Sequence, residues 1–333
     1  VACRNCSHRG QQSRTCRECG NGRDCCSCRC EQGWSFYDTK SISFHHGKSK
    51  TNKSKRFISL EVEVSECGRG DKRLMPVVKK WGMAVVRDGS VDNGFEINTS
   101  PASGDDFIKQ LTELGDALAN QGAGVNASCG LHCHVDARDY NFYDVKKLAL
   151  LWRMVEPALY RLCHPSRKTS SYCKPCGAQF VNALENGKIP KDVKKSFFKG
   201  IYGQEPGREL NRKVVVEGSK YNNARYAALN LHSWLYRGTV ENRMHHGTVN
   251  TEKMIRWGLL NAYLLDYAST NTESHIRSLH TFTPSREPTA KQAMKVLLRT
   301  LEGSPELHDW WRARFDAMEL VHAGPLSSCP IDP

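Results

Sequence analysis

The 333-residue sequence has no apolar run approaching the roughly 18 residues that cross a bilayer, so no helical membrane span is expected. Its polar start lacks a secretory pattern, although an opening on Val1 rather than methionine leaves room for a processed leader. Large apolar residues are scarce before Trp34, so that segment cannot bury a core of its own. Acidic residues are scarce there too. Residues 1–56 hold four Asp and Glu against twelve Lys and Arg, a local net charge of +8 out of the chain's +13. That bias suits a polyanionic partner such as nucleic acid, or a solvated basic segment with no partner. There is no internal repeat, and the mixed composition excludes a disordered or fibrous protein. The expectation is a cytoplasmic protein with one large catalytic domain and a small appendage.

Cysteine, in contrast, is abundant: fifteen in all, eight of them in the first thirty residues. Cys3-x-x-Cys6 and Cys16-x-x-Cys19 are two knuckle-like pairs that can offer four thiolates to a tetrahedral zinc. Cys25, Cys26, Cys28 and Cys30, with His8, supply ligands for a second zinc, though their tight spacing fits no ribbon pattern. The competing reading is a disulfide-stapled miniature domain, which requires an oxidising compartment. Folding of a zinc module this poor in apolar residues depends on its metal. Cys163, His164, Cys173 and Cys176 form a further zinc alternative, against ordinary buried cysteines. The expected organisation is a zinc-binding module over 1–34, a basic linker over 35–55, a catalytic domain over 56–322 and a tail over 323–333.

Between Arg56 and Glu66, Leu60, Val62 and Val64 alternate with Glu61 and Glu63, the period-two pattern of a strand. Met83–Arg87 and Phe95–Ile97 read as two more strands around the turn residues Asp88-Gly89-Ser90. Ser103-x-x-Asp106 resembles a capping box ahead of a helical stripe, Phe107, Leu111, Leu114 and Leu118. Leu131–Val135 alternates again, and Phe142, Val145, Ala149, Trp152, Val155 and Leu159 mark a long amphipathic helix. Residues 224–231 and 239–244 look extended, and helical patterns at 252–268, 290–302 and 306–321 follow. Strands followed by mostly helices indicate an α+β domain on an antiparallel sheet.

Three of these strands display paired functional groups. Glu61 and Glu63 emerge on one face about 6.5 Å apart, and mutual repulsion raises their proton affinity unless cations neutralise them. His132 and His134 repeat the arrangement, as do Glu241 and Arg243. Each pair alone is ordinary for the wet side of a sheet. Together they make a face too polar for core, one that offers hard oxygen ligands to Mg²⁺ and guanidinium forks to phosphates.

Five segments carry a resemblance: Ile58-Ser59-Leu60-Glu61-Val62-Glu63, Asp88-Gly89-Ser90 leading to Gly94-Phe95-Glu96-Ile97, Gly130-Leu131-His132-Cys133-His134-Val135, Ala228-Leu229-Asn230-Leu231 and Gly238-Thr239-Val240-Glu241-Asn242-Arg243. In this order they resemble the amidoligase family, a branch that looks distantly related to glutamine synthetase and glutamate–cysteine ligase. The family commonly has glycine where Ser59 stands, and an apolar residue where Asn242 stands. The resemblance implies a curved antiparallel sheet of glutamine synthetase-like type, whose concave face binds ATP and Mg²⁺ or Mn²⁺. It implies that Glu61, His132 and Glu241 hold one metal and Glu63 and Glu96 another, with His132 and His134 interchangeable as ligand or nucleotide neighbour. Arg243 then contacts phosphates, Arg225 and Arg237 are further candidates for them, and Asn230 orients substrate or metal-bound water. The stretch Arg167–Pro175 resembles a substrate loop, making Arg167 a carboxylate clamp or else a plain surface arginine. Asp88 or Glu96 is a candidate base for the amine.

The activity so implied is ATP-dependent carboxylate–amine ligation through an acyl phosphate, on substrates that include a peptide or protein in a phage-associated setting, in host cytoplasm or virion. The alternative is a binding or structural module for nucleic acid or a protein assembly, on an inactive ligase scaffold with structural Zn²⁺.

Overall fold

The structure, a computed structural model, describes residues 43–48, 54–68, 71–176, 196–197, 199–202, 222–279, 287–325, 329–330 and 332. The zinc module expected over 1–34, with Cys3, Cys6, Cys16, Cys19, Cys25, Cys26, Cys28 and Cys30, lies outside the described residues.

The alternating segment Ile58–Ser65 becomes β2, the strand around which a single open, mostly antiparallel sheet is arranged. Its partners are β4 (Gly94–Asn98) and β5 (Ala102–Ser103) along one edge and β6 (Gly130–Asp136) along the other. Beyond β6 lie β8 (Thr239–His246) and then the short β7 (Leu229–Asn230); β3 (Ala84–Val86) flanks β4. The one parallel pair among the described strands joins β5 to β1 (His45–His46). Part of the segment expected as linker is therefore sheet edge: the backbone N–H of Gly47 donates to the Ser103 carbonyl at 3.1 Å, and Phe44 packs edge-on against Phe57.

One face of the sheet is apolar. Leu60, Val62, Val64, Phe95, Ile97, Leu131, Cys133 and Val135 are all buried. They belong to the same core as α2 (Asp105–Asn120), α3 (Phe142–Arg161) and α5 (Thr251–Thr270). Burying each large aliphatic side chain contributes roughly 1.5–3 kcal/mol. Helix α5 lies against β2, β6 and α2, and Gly258 permits the approach: a Cβ there would come within 2.3 Å of the Phe107 ring of α2 and 3.2 Å of Ile58 of β2. Asn242 also turns to this side, where its amide donates to Asn261 Oδ1 of α5 at 2.7 Å, so the buried polar group is satisfied. The remaining helices are α1 (Met75–Trp81), α4 (His232–Arg237), α6 (Glu273–Ser278), α7 (Ala290–Thr300) and α8 (Pro305–Ala323).

Two local expectations are corrected. Ser103 does not cap α2, because its backbone is engaged in β5 and the cap position falls to Gly104 at φ 58°. Residues 224–231 are not continuously extended. Asn222 accepts the Ala224 N–H at 2.8 Å and closes a 3₁₀ turn over Asn223–Arg225, leaving Leu229–Asn230 as strand before α4 begins.

Candidate active site

Register assembles the polar face. Glu63 stands opposite Glu96, Glu61 opposite His132, His134 opposite Glu241, and Glu241 opposite Asn230, giving a band across β4, β2, β6, β8 and β7. Directly opposed residues on one face lie close enough for their side chains to interact. A register shift between Leu131 and Cys133 breaks the regular β6–β8 pairing beside His132. Glu63, Glu96, His132, His134, Asn230 and Glu241 are all buried.

Glu61 is the centre of the hydrogen-bond network. Its Oε2 meets His132 Nδ1 at 2.9 Å, while its Oε1 meets His134 Nε2 at 3.1 Å and Arg237 Nη1 at 3.3 Å. An ionised carboxylate only accepts, so both imidazole nitrogens facing it carry protons. His134 Nδ1 is then left to accept from the Thr239 hydroxyl at 3.0 Å, which in turn accepts from Ser233 at 3.0 Å. Burial works to raise the Glu61 pKa, but His134 and His132 together outweigh it and hold the carboxyl well below its usual range.

Glu63 and Glu96 behave oppositely. Glu63 accepts the backbone N–H of Gly130 at 2.5 Å, yet burial still leaves its pKa raised. Burial, and then the charge of Glu61, push Glu96 up to about 8 despite an Asn98 amide at 2.7 Å. A site that holds carboxylates at such unfavourable potentials favours a bound cation. Gly130 borders the same space: a Cβ there would sit 3.2 Å from His132 Nε2 and 3.4 Å from both Glu63 Oε2 and Arg167 Nη2.

Guanidinium groups rim the face. Arg243 pairs with Glu241 through Nη1 and donates from Nε to the Tyr172 carbonyl at 3.1 Å. Burial works to raise the Glu241 pKa, but Arg243 and His134 bring it below the ordinary value. Asn230 donates to the other Glu241 oxygen at 2.5 Å. Arg167 is buried, so it is no plain surface arginine: its Nε and Nη2 bind the Met244 and Arg243 carbonyls at 3.1 and 2.8 Å. Arg225 lies over the Tyr226 ring, which packs edge-on to Tyr172, so it joins the outer rim and not the acidic centre. Asp88 binds Ser90 through two 2.7 Å hydrogen bonds, and its charge contributes to the raised values of Glu63 and Glu96.

Among the described residues, two groups of potential metal ligands converge with donor atoms within 4.8 Å of one another: Glu61, His132 and Glu241, and Glu63, Glu96 and His132. His132 stands in both, with Nδ1 facing Glu61 and Glu241 and Nε2 facing Glu63 at 4.0 Å. The alternative zinc set is not among them. Cys173 Sγ donates to the Arg167 carbonyl at 3.1 Å, Cys176 Sγ to the Leu229 carbonyl at 3.9 Å, and His164 Nδ1 pairs with Ser166 at 2.8 Å. Sequence reasoning missed Ser233, Thr239, Asn98 and Gly130. Alternation did carry a signal for Thr239 and Asn98, which sit two residues from Glu241 and Glu96 on the same faces.

The family model described as "Putative amidoligase enzyme" matches residues 36–265, well over half the chain. The matched segment contains all five strands of the polar band and every arginine of its rim. The chain belongs to the amidoligase family, whose name denotes a ligase that forms amide bonds. No curated protein matches it.

Proposed function

We propose that the chain is an ATP-dependent carboxylate–amine ligase working through an acyl phosphate, on a sheet of glutamine synthetase-like type. The observation that carries this reading is the pair of donor sets sharing His132 on a buried acidic face rimmed by Arg237, Arg243 and Arg167. Mg²⁺ or Mn²⁺ held there would screen the phosphates from an attacking carboxylate and withdraw charge from the transferred group.

The chain's own residues do the positioning. Glu61, His132 and Glu241 would hold an ion that screens the transferred phosphate, and Glu63 and Glu96 one that screens the substrate carboxylate. His134, held between Thr239 and Glu61, borders the nucleotide. Arg243 and Arg237 meet the phosphates, with Arg225 on the outer rim, and Asn230 orients substrate. Arg167 clamps the substrate carboxylate, its guanidinium already fixed by two strand carbonyls and thus pre-organised.

In the first step a carboxylate oxygen bonds to the γ-phosphorus and ADP leaves. In the second the amine nitrogen attacks the acyl carbon, the C–O bond to phosphate breaks, and the amine proton passes to Glu96 or Asp88. The substrates are a carboxylate and an amine, a peptide or protein among them, in a cytoplasmic or phage-associated setting. Among the described residues no helix is long and apolar enough to cross a membrane.

Mn²⁺ titration followed by paramagnetic resonance, with and without a non-hydrolysable ATP analogue, tests the reading. Binding that requires Glu61, Glu96 and Glu241 supports it; a wild-type chain that takes up neither ion nor nucleotide refutes it. A second reading rests on the +8 charge of residues 1–56, a nucleic-acid or assembly module with structural Zn²⁺ on an inactive scaffold. It predicts steeply salt-dependent nucleic-acid binding that survives alanine substitution across the acidic face.

A further inference from the structure

Arg167 enters the site from the 3₁₀ turn Pro165–Thr169, and that turn is stapled to β8 at three points. Two are the Arg167 bonds to the Met244 and Arg243 carbonyls. The third is less expected: the backbone N–H of His164, the residue that caps the turn, donates to His246 Nδ1 at 3.0 Å. A backbone N–H can only donate, so Nδ1 must present its lone pair and the ring proton must sit on Nε2. That Nε2 faces Asp332 Oδ1 at 3.3 Å.

Asp332 is itself gripped. Thr248 Oγ1 donates to its Oδ2 and Lys253 Nζ to its Oδ1, both at 2.6 Å. His246 and Thr248 are buried, and His245 stacks on His246 with ring centroids 4.2 Å apart. Burial is the main force holding His246 down to about 4; it outweighs the Asp332 hydrogen bond and charge, which pull upward, and the nearby charges of Lys253 and Arg314 add to it, so the ring is neutral with a defined tautomer. Asp332 lies outside the matched family segment, in a stretch of sequence that composition and patterning leave featureless.

We propose that Asp332 is a positioning residue for Arg167, acting through the His246 tautomer and the His164 N–H. Asp332 accepts the Nε2 proton, which keeps Nδ1 free to receive the turn, and the turn holds the guanidinium at the acidic face. With Asp332 removed, the buried imidazole loses the partner of its proton, and the tautomer carrying hydrogen on Nδ1 becomes competitive. That tautomer cannot receive His164. The catalytic meaning rests on the ligase reading, in which Arg167 holds the substrate carboxylate; the mechanical coupling does not.

The test is limited trypsin cleavage of the folded full chain, with fragments mapped by mass, because the turn carries two cleavable bonds, after the buried Arg167 and after the exposed Lys168, and its three ties to β8 hold both in place. In Asp332→Ala these bonds should be cut about tenfold faster relative to cleavages elsewhere, as expected for local opening of one segment. In Asp332→Asn, whose amide oxygen still accepts from Nε2–H, protection should return. Ring ¹⁵N shifts of His246 should report the Nε2–H form in wild type and Asp332→Asn, and a mixture in Asp332→Ala.

Equal protection in Asp332→Ala and wild type overturns the proposal. So does acceleration spread evenly over the chain, or an Asp332→Asn as open as Asp332→Ala. If Asp332→Ala fails to fold, Thr248→Val combined with Lys253→Met loosens Asp332 without touching it or His246. Localised cleavage in that variant supports the coupling, and its absence refutes it. Loss of Mn²⁺ and nucleotide binding in wild type would sink the ligase reading while leaving this coupling measurable.

Discussion

The two sides of β2 differ sharply. Leu60, Val62 and Val64 are fully buried against helices, while Glu61, half-buried, and Glu63, buried, interleave with them and meet imidazoles, a backbone N–H and a guanidinium group. Both sides are largely withdrawn from water, but only one is held by hydrophobic burial. The other is held by charge pairing that is incomplete, since Glu63 and Glu96 stay at raised pKa values. On the ligase reading proposed above, a face that settles its charges only in part suits a cationic occupant, whereas the apolar side supplies stability.

The contrast can be broken on either side. Replacing Glu61 and Glu241 with Gln should cut substrate-dependent ADP formation by at least about a thousandfold, the scale of losing preorganised electrostatic stabilisation, with the circular dichroism spectrum retained. Undiminished turnover would show that the polar side is ornament. On the apolar side, Leu60→Ala should cost about 3 kcal/mol in urea unfolding while leaving Mn²⁺ stoichiometry intact. A loss of ions with unchanged stability would reverse the assignment of the two faces.

The pH dependence sharpens it further. The Glu96 carboxyl is raised to about 8 in the fold, so it binds its proton more tightly folded than unfolded. Its contribution is complete below about pH 4.5, is lost as pH climbs through about 8, and is flat beyond. In EDTA, Glu96→Gln should flatten the fall in unfolding midpoint between pH 7 and 8, whereas Mn²⁺ affinity of the wild type should rise over the same range. An unchanged slope in Glu96→Gln would remove Glu96 as the cause. A smaller effect belongs to Glu156 of α3, raised to about 7 by burial although Trp152 Nε1 and the Cys176 N–H donate to it. Glu156→Gln should flatten the fall between about pH 4.5 and 7 without altering Mn²⁺ binding.

Much of this was legible in the sequence, for a physical reason. Period-two alternation carries both the strand and the face, so Glu61, Glu63, His132, His134 and Glu241 could be placed on one surface before their partners were known. Long apolar stripes did the same for α2, α3 and α5. The misses are local and share a cause. The cap at Ser103 lost to pairing with β1, a contact 57 residues distant in sequence, and the short helices α1 and α4 have too few turns to show a period. Alternation also could not say which ring nitrogen meets which carboxylate. That is set by the register of β6 against β2 and β8, and so is the doubled role of His132. Arg167 depended on a turn whose seat on β8 nothing in its own residues announces.

The placement of His132 restricts how such a protein can vary. One ring serves two neighbouring compartments, so neither compartment can be retuned alone: a substitution that nudges the imidazole toward Glu61 withdraws it from Glu63. Variation that preserves both must leave this ring untouched and proceed at the periphery.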